Sequence, residues 1–342
     1  MSSPTIETPV VEKTTLASAP VLPRMDGALL INKEVGISSF GVIEKLQKQY
    51  MKQFGIRFRD LPKLGHGGTL DPFATGLLAV CTGRAVKLAR YFLGATKGYD
   101  GLIRFGQTTI PGDPTAEITE TGPIPQSIDE LQAWATKLEK QPYLQTPPMH
   151  SAKKKDGRPL YELAREGLTV DRDPKLCHLY SFQIEEYRPP VARFSLICSS
   201  GTYVRTLAQD FARYLGTVGM LDTLNRSFAG AFQLKNAWTL GQIEEAVAQG
   251  KRWDELPCWM PFDRLLEGYE TAEATLSERQ DLFNGKQAAL PMIVSRMSRR
   301  ESQPGIVIGQ ENCVAITCEG RLIAVARKIE GFWELERVFL PE

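Results

Sequence analysis

One carboxylate, Asp71, stands in the segment Gly65-His66-Gly67-Gly68-Thr69-Leu70-Asp71-Pro72-Phe73-Ala74-Thr75-Gly76. Glycines permit left-handed turns and the close approach of a ligand or a second backbone. Pro72 fixes its own φ and biases Asp71 toward extended backbone. A carboxylate held on a loop of this shape can act as a nucleophile or base when ionised. The plain alternative is an Asp-Pro turn whose side chain caps its own backbone. That accounts for Asp71 alone, and not for the glycines, threonines and histidine around it. Three further segments carry residues able to do chemistry. Lys97-Gly98-Tyr99 puts a tyrosine at the start of a strand, where a core aromatic is an equal reading. Gly201-Thr202-Tyr203-Val204-Arg205-Thr206 puts a tyrosine and an arginine two apart after a glycine. Gln145 to Lys153 joins the pair Pro147-Pro148 to a lysine run, which alone reads as a solvated loop.

The elements that must position these residues follow from apolar periodicity. Ala28 to Asn32 reads as a first strand and Leu77 to Cys81 as a buried one. Ser38 or Ser39 can cap a helix whose Phe40, Ile43, Leu46 and Tyr50 share a face. Between that helix and Asp71 runs a long basic loop, Gly55 to Leu70. Arg84 to Leu93 reads as a helix and Tyr99 to Phe105 as a strand. Pro111 to Pro125 reads as an acidic loop, and Ser127 to Glu130 as a capping box opening a helix. A short helix carries Leu160, Leu163 and Ala164. Leu176 to Tyr187, Ala192 to Ser199 and Ala229 to Leu234 read as strands, and Thr202 to Leu215 as a helix. Gly241 to Leu266 reads as helical and broken by proline. Beyond Thr271 the texture changes to short, evenly spaced strands at Gly305–Ile308, Cys313–Thr317, Leu322–Ala326 and Trp333–Val338, the pattern of a small β domain.

Composition bounds the function. The chain has 342 residues, 42% hydrophobic and 24% charged, ordinary for globular proteins and long enough for two or three domains. No apolar run approaches the ~20 residues that span a bilayer. Residues 1–24, rich in Ser, Thr, Pro and Glu, read as a disordered tail without the basic start or apolar core of a secretion signal. Net charge is only +1, yet Gly41 to Ile110 holds 11 Lys and Arg against 4 Asp and Glu. Such a face can steer a polyanion even when the total cancels. The six cysteines form no C-x-x-C pair, and the three histidines have no zinc spacing. The expectation is a reduced, cytoplasmic, metal-free protein.

Together these blocks resemble the TruB family of pseudouridine synthases, in its bacterial tRNA form. The resemblance runs from Asp26 to Leu234. Within Gly65 to Gly83, Asp71 takes the place of the family's catalytic aspartate. Lys97 to Tyr99 matches its Lys-x-Tyr block, and Gly201 to Arg205 its Gly-Thr-Tyr-x-Arg block. Pro147 to Lys154 matches Pro-x-x-Ser-Ala-x-Lys with a one-residue variation in spacing. Leu221 to Arg226 matches Leu-x-x-Leu-x-Arg, followed by Gly230-Ala231-Phe232. Gly67 departs from the pattern, since many relatives have Thr or Ser there, and it offers no side chain for a contact to RNA.

The resemblance implies a mixed α+β fold. A large, mostly antiparallel sheet flanked by helices would form the catalytic domain, residues 25–270, and a PUA-like RNA-binding β domain would follow, residues 271–342. It implies isomerisation of uridine 55 in the T-arm of tRNA, by a monomer with no cofactor and no metal. Asp71 would start the reaction by attack on the sugar or the uracil, or by removing a sugar proton. Arg205 would pair with Asp71 and hold it ionised. Tyr99 would stack on the uracil and could assist removal of the C5 proton, with Tyr203 as a second aromatic. His66 would contact the flipped nucleotide or take its place in the stack. Lys87, Lys153 and Lys154 would meet phosphates, which position RNA without reading sequence. The rival readings are a relative acting on another RNA, an RNA-folding protein with catalysis secondary, and a glycosidase, which would need a second carboxylate.

Overall fold

The structure, a computed structural model, describes residues 25–149, 151, 154–155, 157–298 and 312–339. The tail, Lys153 and the strand expected at Gly305–Ile308 lie outside the described residues.

Strand β1 (Gly27–Lys33) leads into α1 (Ser39–Phe54), capped by Ser38, whose Oγ accepts from the Gly41 N–H at 2.9 Å. The helix stops at Gly55 in the left-handed conformation, as helices often do at glycine. Its buried face is Val42, Ile43, Leu46 and Tyr50. Phe40 was expected on that face, but it lies on the solvent side of the first turn and is 63% exposed. Strand β2 (Leu64–His66) then pairs with β3 (Thr75–Thr82), and the Asp71 loop joins them. The expected helix over Arg84–Leu93 divides into a 3-10 turn, Gly83–Leu88, and α2 (Ala89–Leu93), before β4 (Lys97–Phe105).

The acidic segment Pro111 to Pro125, expected as a loop, contains a strand, β6 (Ile118–Thr121), which forms a hairpin with β5 (Gln107–Thr109) just before it. Ser127 caps α3 (Ile128–Glu139) by accepting from the Asp129 N–H. Short pieces follow: β7 (Tyr143–Gln145), β8 (Lys154–Lys155), β9 (Arg158–Pro159), α4 (Leu160–Arg165) and β10 (Lys175–Cys177). Then come β11 (Leu179–Arg188), β12 (Val191–Cys198), α5 (Val204–Tyr214) and β13 (Gly219–Ala229). The strand expected over Ala229–Leu234 is instead the end of β13, a turn at Gly230, and β14 (Phe232–Gln233). The polar run Asp222, Thr223, Asn225, Arg226 and Ser227 hides β13 from an apolar-periodicity reading. Those side chains serve partners: Asp222 pairs with Arg104, and the Asn225 amide donates to Asp100. Helix α6 (Leu240–Ala248) and β15 (Trp259–Pro261) complete this part.

The main sheet has nine strands in the order β11-β12-β4-β13-β3-β1-β15, with β14 on β13 and β2 on β3. Every pairing is antiparallel except β13 with β3. Alternation along β1 splits the core. Leu29 and Ile31 belong to the core shared with α1, α3, α5 and α6, while Ala28 and Leu30 belong to the core shared with α2 and a second sheet. That sheet is β16 (Glu270–Glu273), β17 (Cys313–Cys318), β18 (Arg321–Ile329) and β19 (Phe332–Val338). Its other face is covered by α7 (Leu276–Phe283) and α8 (Leu290–Ser295).

Gly76 is where this architecture most needs glycine. Its φ is +101°, and a Cβ there would lie 2.5 Å from the Arg226 carbonyl oxygen. Only glycine lets β13 run beside β3 so close to the Asp71 loop.

Candidate active site

A buried loop must find partners for its backbone polar groups, and the Asp71 loop finds them on three sides. From α1, the Ser39 hydroxyl donates to the Leu70 carbonyl at 3.0 Å and accepts from the Leu70 N–H at 2.8 Å. From the end of β1, the Gly36 N–H donates to the Pro72 carbonyl at 2.7 Å. The buried Lys33 Nζ donates to the carbonyls of Ile37 at 2.8 Å and Pro72 at 3.4 Å. From β13, Arg226 donates to the carbonyls of Leu77 at 2.7 Å and Gly68 at 3.1 Å.

Asp71 is thereby presented to Arg205 on the first turn of α5. Arg205 Nε donates to Oδ2 at 2.8 Å and Nη2 to Oδ1 at 3.2 Å. The third nitrogen, Nη1, donates to the Pro111 carbonyl at 2.8 Å and stands 3.5 Å from the buried carboxylate of Asp113. The guanidinium side chain is 5% exposed, and that of Asp71 34%. Such a planar fork, locked from behind, fixes the carboxylate's orientation while one side stays open.

The start of α5 is itself clamped. Gln145, buried on β7, accepts from the Tyr203 N–H at 2.7 Å and donates to the Tyr203 carbonyl at 3.0 Å. The same amide donates to the Tyr143 hydroxyl at 3.0 Å, which donates in turn to Asp210 at 2.6 Å.

Asp71, Tyr99, Tyr203 and Arg205 line one open cavity of about 340 Å³, with Lys97 and Arg226 in its wall. That volume lies in the range of small-ligand sites. The buried hydroxyl of Ser151 also faces it, with no hydrogen-bond partner among the described residues. His66 is not in the cavity lining. It sits half-buried on β2, and its Nδ1 is enclosed without a partner among the described residues. Lys87 is exposed on the 3-10 turn after β3, outside the cavity. Lys154 lies in the short strand β8. Gly67 is buried, and a Cβ there would meet the Phe92 ring at 3.1 Å. A side chain at this position would therefore start against the core.

Burial pushes the Tyr99 hydroxyl up to about 12, against the nearby Arg226 guanidinium, so it is a neutral phenol at neutral pH. Burial lowers Lys97 to about 8, with Arg226 acting in the same direction. Burial also lowers Lys33 to about 8, with Asp71 opposing. His66 is lowered by burial and by Arg226, which favours an uncharged ring. Among the described residues no three His, Cys, Asp or Glu side chains group as a metal site.

Lys33, Asp113, Gln145 and Arg226 carry no role in the sequence reading. Gln145 and Arg226 lie at the edges of quoted blocks, which was a usable signal. Asp113 and Lys33 are single residues placed by tertiary contacts.

Solved structures share this fold. The crystal structure of a Cbf5-Nop10-Gar1 complex matches 93% of this chain and 86% of that chain, with a TM-score of 0.66 at 20% identity. The archaeal box H/ACA sRNP Nop10-Cbf5 complex matches with a TM-score of 0.61 over 93% and 87% at 19% identity. Residues 52–204 match the TruB family pseudouridylate synthase N-terminal domain. Sequence similarity extends further: tRNA pseudouridine synthase B of Thiobacillus denitrificans is 38% identical over 76% of this chain and 84% of its own length. That of Cupriavidus metallidurans is 36% identical over 93% and 96%. The chain belongs to the TruB family and is a pseudouridine synthase, an isomerase.

Proposed function

We propose that this enzyme isomerises uridine 55 in the T loop of tRNA, with Asp71 as the catalytic carboxylate. The observation that carries the reading is the Asp71–Arg205 pair, held at 2.8 and 3.2 Å on the wall of the cavity that Tyr99 and Tyr203 line. The relatives' activity, tRNA pseudouridine synthase B, supports the substrate class.

In this reaction the bond from C1′ to N1 breaks and a bond from C1′ to C5 forms. The C5 proton is lost and N1 gains one, so atoms and electrons balance within the nucleoside. Asp71 begins the sequence as an ionised group, by attack on sugar or base or by taking a sugar proton. Arg205 aims it through the two hydrogen bonds. Tyr99, a neutral phenol, offers a face to the uracil, and stacking of this kind offsets part of the roughly few kcal/mol that flipping a base costs. His66, uncharged and half-buried, suits contact with a displaced base better than a phosphate. Lys87, Lys153 and Lys154 are assigned to phosphate contacts. The reading extends to a cytoplasmic monomer that needs neither cofactor nor metal, with residues 271–342 as an RNA-binding domain.

The test is to map pseudouridine at nucleotide resolution in tRNA incubated with the wild-type protein and with Asp71→Asn. Modification at position 55 by the wild type alone is expected. Modification elsewhere, or activity persisting in D71N, overturns the assignment.

A further inference from the structure

We infer that the turn Arg57-Phe58-Arg59 is a second RNA-contact surface, outside the cavity, on which Phe58 stacks an unpaired base of the substrate while Arg57 and Lys63 meet phosphates. The inference deepens the proposed function and rests on its RNA substrate class.

The segment between α1 and β2 is ordered by its apolar residues. Phe54, Ile56, Leu61 and Leu64 pack against the main core. The Leu61 N–H donates to the Phe58 carbonyl at 3.3 Å, closing a 3-10 turn over Phe58–Asp60. Phe58 alone among these apolar residues points out, 68% exposed. Isolated exposed apolar residues are common, but this one has an exposed arginine on each side. Among the large exposed hydrophobics of the described residues, no other has that setting.

Charge and position argue for the occupant. Arg57, Arg59 and Lys63 are exposed, against a single acid, Asp60, which stands 3.7 Å from Arg59. The Gly83 N–H donates to the Lys63 carbonyl at 2.8 Å, tying this turn to the 3-10 segment that carries exposed Lys87. The chain then enters β2, which bears His66, and the Asp71 loop follows. An aromatic face between cations, at the head of the strand that leads into the site, is the arrangement that binds unpaired nucleic acid. Phosphates meet the charges, and any base can stack.

The experiment measures binding of labelled tRNA and of its isolated T-arm by wild type, Phe58→Ala, Phe58→Trp and Arg57→Ala at several salt concentrations, beside single-turnover rates at saturating RNA. F58A is expected to weaken tRNA binding by roughly fivefold or more, with F58W restoring it and the saturated rate unchanged. R57A is expected to reduce the salt slope by about one. Wild-type affinity in F58A overturns the proposal, as does concentration-dependent self-association that F58A abolishes, since a second copy then covers Phe58. If the wild type makes no pseudouridine in tRNA but F58A still weakens RNA binding, the proposed reaction fails and this surface stands. If the wild type modifies tRNA and F58A binds normally, the surface fails and the reaction stands.

Discussion

Arg205 holds Asp71 through two hydrogen bonds, 2.8 and 3.2 Å long, from a guanidinium far more buried than the carboxylate it grips. The asymmetry matters. The cation is fixed by Pro111 and Asp113 behind it, so the carboxylate is oriented by a rigid partner and faces the cavity with its open side.

Arg205→Lys tests that relationship. Lysine keeps the charge but has neither the fork nor the reach to Pro111. A carboxylate displaced by about 1 Å can lose roughly 100-fold in rate, so the single-turnover rate of R205K is expected to fall on that order with little change in RNA affinity. Equal losses in rate constant and in affinity would mean that Arg205 binds RNA and does not position Asp71.

Asp113→Asn asks whether the second carboxylate matters. Asp113 is buried, and its Oδ1 accepts from the Thr115 N–H at 3.0 Å. Asparagine can keep that bond while removing the charge facing Arg205. Breaking a buried ion pair from one side costs up to roughly 3–5 kcal/mol, and less here because Arg205 keeps Asp71, so thermal unfolding should show a loss below that figure. The rate should fall less than in R205K, since the fork to Asp71 remains. An unchanged melting temperature would mean that the 3.5 Å contact carries no energy.

These two residues differ in how far the chain announces them. Arg205 follows a glycine and a tyrosine, and Asp71 sits among glycines, so local composition marks both. Asp113 lies in a proline-rich acidic stretch with no apolar period, and its role arises only when that stretch folds back onto α5. The main sheet was legible where a strand is a short apolar run, as in β1 and β3. Central strand β13 was not, because Asp222, Asn225 and Arg226 spend their polarity on neighbours rather than on solvent. Lys33 reads as the polar end of a strand, yet it is buried under the Asp71 loop.

Gln145→Leu should separate positioning from packing. Leucine fills a similar volume but removes every polar contact of the amide. The Tyr203 N–H and carbonyl and the Tyr143 hydroxyl would each lose a partner. Unsatisfied buried groups cost ~1–3 kcal/mol each, and denaturant unfolding should register a loss within a few kcal/mol. Because Tyr203 precedes the turn that carries Arg205, the saturated rate should fall more than RNA affinity. Gln145→Glu keeps the acceptor for the Tyr203 N–H and should recover part of the rate. Normal turnover in Q145L would show that α5 is placed by its apolar face alone.

Lys97 gives the protein a pH signature whose sign can be worked out. The ammonium donates to the carbonyls of Leu93 at 3.1 Å and Ala95 at 2.9 Å. Burial, with Arg226 beside it, still lowers it from 10.5 to about 8. Below pH 8 both folded and unfolded chains carry this proton, and the fold bears the cost of a buried charge. Between pH 8 and 10.5 the unfolded chain holds the proton more tightly, so this contribution to stability rises with pH. Lys33, also lowered to about 8, adds a slope of the same sign. Each lysine contributes at most about 1.4 kcal/mol per pH unit. Buried Cys81, Cys198 and Cys258, each pushed up from 9.0 to about 12, contribute the opposite slope from about pH 9. Urea unfolding should therefore be compared between wild type and Lys97→Met from pH 7 to 9, where the wild type should gain stability relative to the variant. Measurements should stop at pH 9. From about pH 10 Tyr99, held up to about 12, adds to the opposite slope, since it stays protonated in the fold while the unfolded phenol ionises. A slope identical in wild type and K97M would show that the Lys97 ammonium is as well solvated in the fold as in water, and the burial described for it would be wrong.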